Sequence, residues 1–190
     1  MTKAKAGNIG EEAVREVLRS LKGTLISGFI RSNNLQYSRH NFQVDFLVFI
    51  PCIGLVLIEV KNWKGTIKAT SDTKWIQKIE VSNKTHKNEL PSPSSQVLRT
   101  SGLLMQMLEK EQINKWPIRP LVVFANDNAK ILKAKNAHSP QTDIILKSMI
   151  PSWIKNNSTD EVKYKFHAFE FNRVKSIIQK YTSEYEAPSR

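Results

Sequence analysis

Short apolar runs separated by turn residues dominate the first two thirds of this 190-residue chain. Residues 46–50 and 55–58 are the clearest pair, because both are rich in β-branched and aromatic residues and a Pro-Cys-Ile-Gly turn joins them. Similar runs, several with alternating apolar and polar positions, predict further strands. The predicted strands cover residues 24–30, 46–50, 55–58, 66–69, 74–81 and 120–125.

Helical periodicity marks the elements between these strands. Residues 8–21 carry an apolar stripe at helical spacing, and Ser92 followed by Pro93 is typical of the start of a second helix. A third helix is predicted over residues 172–185, with a tail at 186–190. Polar loops are predicted at 31–41 and 82–91. After residue 126 the pattern weakens to a short strand at 129–135, mixed cues at 143–155 and an alternation at 163–171.

Three charged residues interrupt the central pair of apolar runs. Asp45 opens the first run, and Glu59 and Lys61 close the second. If the chain folds back at residues 52–53, position 45 lies opposite about position 60. Side chains alternate between the two faces of a strand, so we expect all three residues on one face, next to the apolar side chains of Leu47, Phe49, Leu55 and Leu57.

Two interpretations of this cluster remain open from the residues alone. In the first, Lys61 forms a structural salt bridge with Asp45 or Glu59, an arrangement that is common at strand ends. In the second, the two carboxylates bind a hard divalent cation, and Lys61 orients or activates a water that attacks a phosphodiester.

One acidic residue of the first helix is a further candidate. Glu11 lies one turn before Val14 and two turns before Leu18, at the edge of the apolar stripe, whereas Glu12 aligns with Arg15 and Arg19 on the solvent face. Glu11 is therefore the acid that could face the sheet. An acid in a first helical turn is also explained by the helix dipole alone.

The ordered set of motifs resembles a known family. The segments Gly7-Asn8-Ile9-Gly10-Glu11, Val44-Asp45-Phe46 and Glu59-Val60-Lys61-Asn62-Trp63-Lys64-Gly65, followed by Trp75 and Gln96, are similar to the NERD (nuclease-related) domain of the PD-(D/E)xK, restriction-endonuclease-like superfamily. The resemblance covers about two thirds of the chain, from residue 7 to 126. It departs from the family where Ser92-Pro93 stands in place of the usual Asn-Pro.

This resemblance implies a fold and a chemistry. The fold class is α/β (α+β), a central mixed sheet with a helix on each face, built as α-β-β-β-α-β over residues 1–126, with residues 127–190 as a C-terminal extension packed on the same domain. The activity is that of a metal-dependent DNA endonuclease using Mg²⁺ or Mn²⁺. Asp45, Glu59 and the Val60 carbonyl would bind the metal, Lys61 and Glu11 would complete the site, and Gln96 would assist.

Two other functions stay open. The chain could be a nucleic-acid-binding module that keeps the nuclease-like fold without the chemistry, or an interaction domain whose acid and lysine cluster is structural. The intact set of Glu11, Asp45, Glu59 and Lys61 argues against both.

Net charge supports a polyanionic partner. The chain has 29 Lys and Arg against 17 Asp and Glu, a formal charge of +12. We expect DNA to contact the cations near the candidate site, namely Arg31, Arg39, Lys64, Lys68 and Lys74. The alternative is that these lysines form a solvated edge, where they also oppose unwanted strand pairing.

The remaining features concern the cellular location, membrane association and cofactor use of the protein. Cys52 is the only cysteine, so no intrachain disulfide can form, and we expect a cytoplasmic protein. The longest uncharged stretch, residues 46–58, is shorter than the roughly 20 residues that span a bilayer, so no membrane association is predicted. The sequence contains no Gly-rich phosphate-binding loop, so ATP use is not predicted. Whether the chain forms a homo-oligomer or binds a partner protein stays open.

Overall fold

The computed structural model describes residues 3–82, 84–158 and 163–182, with side chains from residue 7 onwards. Four α-helices and nine strands make up this part of the chain. In order they are α1 (Lys3–Leu21), β1 (Gly28–Tyr37), β2 (His40–Ile50), β3 (Gly54–Lys61), β4 (Thr66–Ala69), β5 (Lys74–Val81), β6 (Lys84–Pro91), α2 (Pro93–Lys110), β7 (Ile118–Phe124), β8 (Lys130–Lys133), β9 (Asp143–Leu146), α3 (Ile150–Asn157) and α4 (Ala168–Lys180).

A five-stranded mixed sheet forms the centre, in the order β1-β2-β3-β7-β9. The first three strands are antiparallel, and β7 and β9 continue the sheet in parallel with β3. Seven of the eight residues of β3 are buried, because helices cover the sheet on both sides. The predicted fold class, a central mixed sheet with flanking helices, is confirmed.

The two faces of this sheet carry separate apolar cores. On one face, Val14 and Leu18 of α1 pack with Phe46 and Val48, and α3 adds Trp153. On the other face, α2 packs with the side chains predicted to share a face, Leu47, Phe49, Leu55 and Leu57, and α4 adds Val174 and Ile177. Helices therefore flank both faces, as predicted, with two helices on each face.

A second, four-stranded sheet has the strand order β6-β5-β4-β8. Three of its strands lie in the chain between β3 and α2, and β8 follows β7. Its strands β5 and β6 form a hairpin with eight cross-strand pairs, from Lys74↔Pro91 to Val81↔Lys84. The hairpin is anchored at its base by Trp75, which is buried and donates its ring N–H to the Thr70 carbonyl at 2.9 Å. Trp75 is therefore a core residue of this sheet.

Two segments that were predicted to be loops are largely strands. Residues 82–91 contain β6, a strand whose side chains are exposed except for the half-buried Leu90, so no apolar alternation marks it and its pairing with β5 stabilises it. Residues 31–41 lie mostly in β1 and β2, which turn at Ser38 and Arg39 with φ angles of 49° and 64°. Both segments are mostly polar and are stabilised by pairing with a neighbouring strand, and in the second segment Leu35 is also buried in the core.

Several boundaries also differ from the prediction. The first strand begins at Gly28 rather than at residue 24, and the alternation at 163–171 is not a strand, since α4 begins within it at Ala168. The predicted tail at 186–190 lies outside the described residues. Past residue 126, β8 pairs with β4 and β9 pairs with β7, so this part of the chain extends both sheets. Among the described helices, none has the length and apolar character to cross a membrane.

Candidate active site

A cleft of about 1010 Å³ opens where β2 and β3 separate at one end of the central sheet. Its floor is formed by residues of β2 and β3, and the start of α1 contributes Gly7 and Glu11. Residues 87–90 of β6 and four residues of α2 line the rest. All five predicted catalytic residues line this cleft: Glu11, Asp45, Glu59, Lys61 and Gln96.

Asp45 is aimed by a β-bulge. In the β1–β2 ladder Ile30 pairs with Leu47 and Ser32 pairs with Val44, so Asp45 and Phe46 together lie opposite the single residue Arg31. The extra residue breaks the strict alternation of faces, and bulges re-aim side chains in this way. The Asp45 carboxylate consequently turns towards β3, where one oxygen accepts the Val60 N–H at 2.8 Å. Its other oxygen accepts the Gln43 amide at 2.6 Å.

Glu59 and Lys61 form a close ion pair two residues apart on β3. The Lys61 Nζ lies 2.5 Å from Glu59 Oε1, and the side chains are only 19% and 11% exposed, respectively. The two residues point to the same side of the strand, as the alternation predicted. The antiparallel register, which pairs Phe46 with Ile58, continues to place Asp45 beside Glu59.

Glu11 reaches the cluster from α1. Gly10 allows this approach, because α1 packs so tightly against the residues after β3 that a Cβ at position 10 would lie 2.7 Å from the Asn62 Cβ. The Glu11 carboxylate forms an ion pair with the Arg31 guanidinium, which in turn lies over the Phe46 ring, 5.0 Å from its centroid. The neighbouring Glu12 instead pairs with Arg15 and Arg19 on the outer face of the helix, as predicted.

The three acids influence one another. Burial raises the pKa of the Glu59 carboxyl most, and Asp45 and Glu11 raise it further, while Lys61 opposes them. Burial likewise raises the pKa of Glu11, with Asp45 adding to it and Arg31 and Lys61 opposing it. When all are ionised, three carboxylates face two cations, so the cluster carries one uncompensated negative charge in a poorly solvated place.

The family follows from the sequence motifs and this arrangement together. The model of the nuclease-related domain family, NERD, matches residues 6–125. The chain belongs to the NERD family. This family is part of the restriction-endonuclease-like superfamily, and its matched region contains the whole cleft and both of its walls. No curated protein and no solved structure matched the chain.

The donor groups of the NERD cleft are oxygen atoms suited to a hard cation. Asp45 and Glu59 supply carboxylates. The Val60 carbonyl points to the same side of β3 as its N–H, and therefore towards Asp45. No three Asp, Glu, His or Cys side chains converge tightly enough to hold a metal ion within the described residues. A cation would therefore be held by two carboxylates and a main-chain oxygen. Its positive charge would offset the one negative charge that the cluster leaves uncompensated.

The cations predicted to contact DNA lie elsewhere on the NERD domain. Arg31 is held by Glu11, and Lys74 forms an exposed ion pair with Glu89 at 3.6 Å. Arg39 is in the β1–β2 turn, Lys64 follows β3, and Lys68 is exposed on β4. None of the five lines the cleft. Their role in binding nucleic acid stays a prediction.

Sequence reasoning missed a set of amide side chains in the cleft. Gln77, buried in β5, donates to the Lys64 carbonyl at 2.8 Å and accepts from Asn88 at 3.2 Å, so it ties the segment after β3 to the β5–β6 hairpin. Spacing gives no signal for such residues, because strands distant in the chain bring them together. Besides the predicted Gln96, the amides that line the cleft are Asn41, Gln43, Asn62, Gln77 and Asn88.

Proposed function

We propose that this NERD protein is a metal-dependent endonuclease that hydrolyses phosphodiester bonds of DNA in the cleft. The observation that carries the proposal is the meeting of Glu11, Asp45, Glu59 and Lys61 on the floor of one open cleft. A salt bridge that serves stability alone needs one acid for each base. Here three acids meet only two bases, Arg31 and Lys61, and burial raises the pKa of the Glu11 and Glu59 carboxyls.

In this proposal Asp45, Glu59 and the Val60 carbonyl hold Mg²⁺ or Mn²⁺. The bound cation would supply Lewis-acid stabilisation of negative charge on the phosphate and a more acidic water. The hydrogen bonds from Val60 and Gln43 fix the orientation of the Asp45 carboxylate in advance, so little freedom is lost on binding.

The chain's own residues then handle the proton and the charge. Lys61, once its partner Glu59 is engaged elsewhere, is free to orient the attacking water or to stabilise the charge that develops on the phosphate oxygens. Glu11 completes the acidic cluster, and Arg31 orients its carboxylate and opposes the rise of its pKa. Gln96 lies exposed at the start of α2, where its amide can hold a water or a phosphate oxygen.

One observation favours the alternative of a nucleic-acid-binding module without catalysis. Each acid of the cluster already has a partner: Asp45 has Val60 and Gln43, Glu59 has Lys61, and Glu11 has Arg31. In such a module these pairs would be permanent and no cation would displace Lys61 from Glu59. The two functions therefore differ in whether the protein binds a divalent cation.

The test combines a cleavage assay with a direct measurement of cation binding. Linear, circular, nicked and branched DNA, with RNA alongside, are incubated with the protein in Mg²⁺, in Mn²⁺ and in EDTA, and calorimetry measures cation affinity without substrate. We expect DNA cleavage that EDTA abolishes. Asp45→Asn should lose both cleavage and cation binding, since an amide is a weaker ligand than a carboxylate.

Asp143→Asn is the matched control. Asp143 also accepts hydrogen bonds, from Arg119 and Trp153, but it lies at the start of β9 outside the cleft. The control should cut DNA like the wild type. Cation-independent cleavage, or an Asp45→Asn protein that cuts at the wild-type rate, would refute the proposal. DNA binding without any cation binding or cleavage would favour the non-catalytic module.

A further inference from the structure

Two cations line the cleft in addition to Lys61, and neither is among the five predicted to contact DNA. They are Lys87 on β6 and Arg99 on α2, and both are exposed. Within the described part of the chain neither forms an ion pair with a carboxylate, in contrast to Arg31 and Lys74. Their charges are therefore available to a ligand in the cleft.

The chain holds these two cations on separate arms. The strand β6 leads directly into α2, and Ser92 at the junction caps the helix by accepting the Ser95 N–H. At the usual rise per residue, Lys87 lies about 16 Å from Ser92 along the strand. Arg99 lies about 10 Å from it along the helix. Residues of both arms line the cleft, so each arm brings one cation to it.

The arms are firmly supported and carry matching polar groups. Eight pairs with β5 hold β6, and the Ser92 N–H donates to the Thr73 carbonyl at 2.8 Å at the junction. Asn88 follows Lys87 on the opposite face of β6, where it donates to Gln77. Gln96 lies one helical turn before Arg99, so an amide accompanies the cation on each arm. Cations and amides are the side chains that most often contact phosphate oxygens in nucleic-acid complexes.

The cross-strand partner of Lys87 adds a second argument. Lys87 stands directly opposite Lys78 in the β5–β6 ladder. Like charges in that position repel each other, and a bound anion relieves the repulsion. A negatively charged ligand that binds near Lys87 would therefore be favoured, because it lowers the repulsion between the two lysines.

We propose that Lys87 and Arg99, one on β6 and one on α2, clamp the sugar–phosphate backbone of the substrate in the cleft that holds the catalytic cluster. This proposal rests on the proposed function for the identity of the substrate, and it adds contacts inside the cleft to those predicted outside it, which include Lys64, Lys68 and Lys74. The contacts are to phosphates, so binding is indifferent to base sequence. Arg99 can bind a phosphate through two N–H groups at once, whereas Lys87 acts as a single point charge.

The experiment measures binding without catalysis. The affinity of the full chain for a labelled DNA duplex, and for the corresponding single strand, is titrated against salt in EDTA. Each lost phosphate contact should reduce the slope of log K against log salt by about 0.9 for duplex and about 0.7 for a single strand. We expect that reduction for Lys87→Gln and for Arg99→Gln, and twice that reduction for the double variant.

The matched control is Lys133→Gln with Lys155→Gln, which removes the same charge from β8 and α3. Both lysines are exposed and outside the cleft. This control should keep the wild-type slope. An unchanged slope in the K87Q/R99Q variant, or an equal loss in the control, would overturn the clamp.

Cleavage kinetics separate this proposal from the proposed function. With Mg²⁺ present, the clamp predicts a raised KM and a nearly unchanged kcat for the K87Q/R99Q variant. If the K87Q/R99Q variant shows the expected slope change in EDTA but the wild type cuts nothing with any cation, the clamp stands and the nuclease proposal fails. If cleavage occurs but the slope does not respond, the nuclease proposal stands and the clamp fails.

Discussion

Replacing Gly10 by Ala should separate catalysis from stability, because of where α1 meets the sheet. The added Cβ would lie 2.7 Å from the Asn62 Cβ and 3.3 Å from the Ala125 Cβ. Carbon atoms pack best at roughly 3.5–4.0 Å, so the helix or the segment at Asn62 must move by about 1 Å. Glu11 is the next residue in the helix and would move with it.

The effect on stability should be small. Overpacking a tight contact costs about 1–3 kcal/mol. Ala is about 1 kcal/mol more favourable than Gly inside a helix, which offsets part of that cost. When the helix-propensity gain is subtracted from the overpacking cost, we expect Gly10→Ala to lower the free energy of unfolding by about 0–2 kcal/mol. Chemical denaturation measures this difference.

The effect on activity should be much larger. A displacement of about 1 Å in a catalytic group can reduce the rate roughly 100-fold. The assay is kcat/KM for DNA cleavage at a temperature where the variant is fully folded. Gly102→Ala is the control, since Gly102 is also inside a helix but a Cβ there meets nothing within 4 Å. A Gly10→Ala protein with wild-type kcat/KM, or a loss no larger than its unfolded fraction, would refute the reasoning.

Three further predictions concern single residues. Lys61→Ala should reduce the cleavage rate about 10²–10⁴-fold while the DNA Kd in EDTA stays close to wild type; a wild-type rate would exclude Lys61 from catalysis. Gln77→Ala should lower the free energy of unfolding by about 1–3 kcal/mol, because it leaves the Lys64 carbonyl without its buried donor, and denaturation with an unchanged midpoint would contradict this. Hydrogen bonds from Lys180 and Tyr181 lower the pKa of Glu111, so its contribution to stability is present above pH 4.5 and is lost as the pH falls below that value. In a Glu111→Gln variant this pH-dependent part of the stability should be absent. An ultraviolet titration of the variant should show the pKa of Tyr181 falling from about 12 towards 10.

Local patterns were enough to predict the centre of the fold. The paired apolar runs gave the β2–β3 hairpin, and Ser92-Pro93 gave the start of α2, where Ser92 accepts the Ser95 N–H. Alternation along β3 placed Glu59 and Lys61 on one side. These features depend on residues close in the chain, so turn chemistry and side-chain periodicity determine them.

The strict alternation did not extend to Asp45. The bulge opposite Arg31 shifts the register of β2, so the carboxylate lies against the Val60 N–H between the strands instead of standing on one face. A bulge of this kind leaves no signature in the residues of β2 alone. The acids still meet, but through a hydrogen bond that alternation cannot predict.

Sequence patterns did not predict the walls of the cleft, formed by β6 and α2, for a different reason. The strand β6 is polar along most of its length, so its residues read as a loop, and only pairing with β5 makes it a strand. Lys87 and Arg99 become neighbours of the acids through the packing of two elements around Ser92. Their selection from 29 basic residues required the tertiary structure.

The long excursion of the chain between β3 and β7 has a consequence for the order of folding. The β2–β3 hairpin closes through a three-residue turn, whereas the pairing of β3 with β7 closes a loop that contains residues 62–117, with the second sheet's hairpin and α2. Local contacts form faster than distant ones, because less loop entropy is lost. We therefore expect Asp45 and Glu59 to be juxtaposed early, in a hairpin that still lacks Glu11 and both walls. The acids of this protein would be assembled before the groove that is to enclose its substrate.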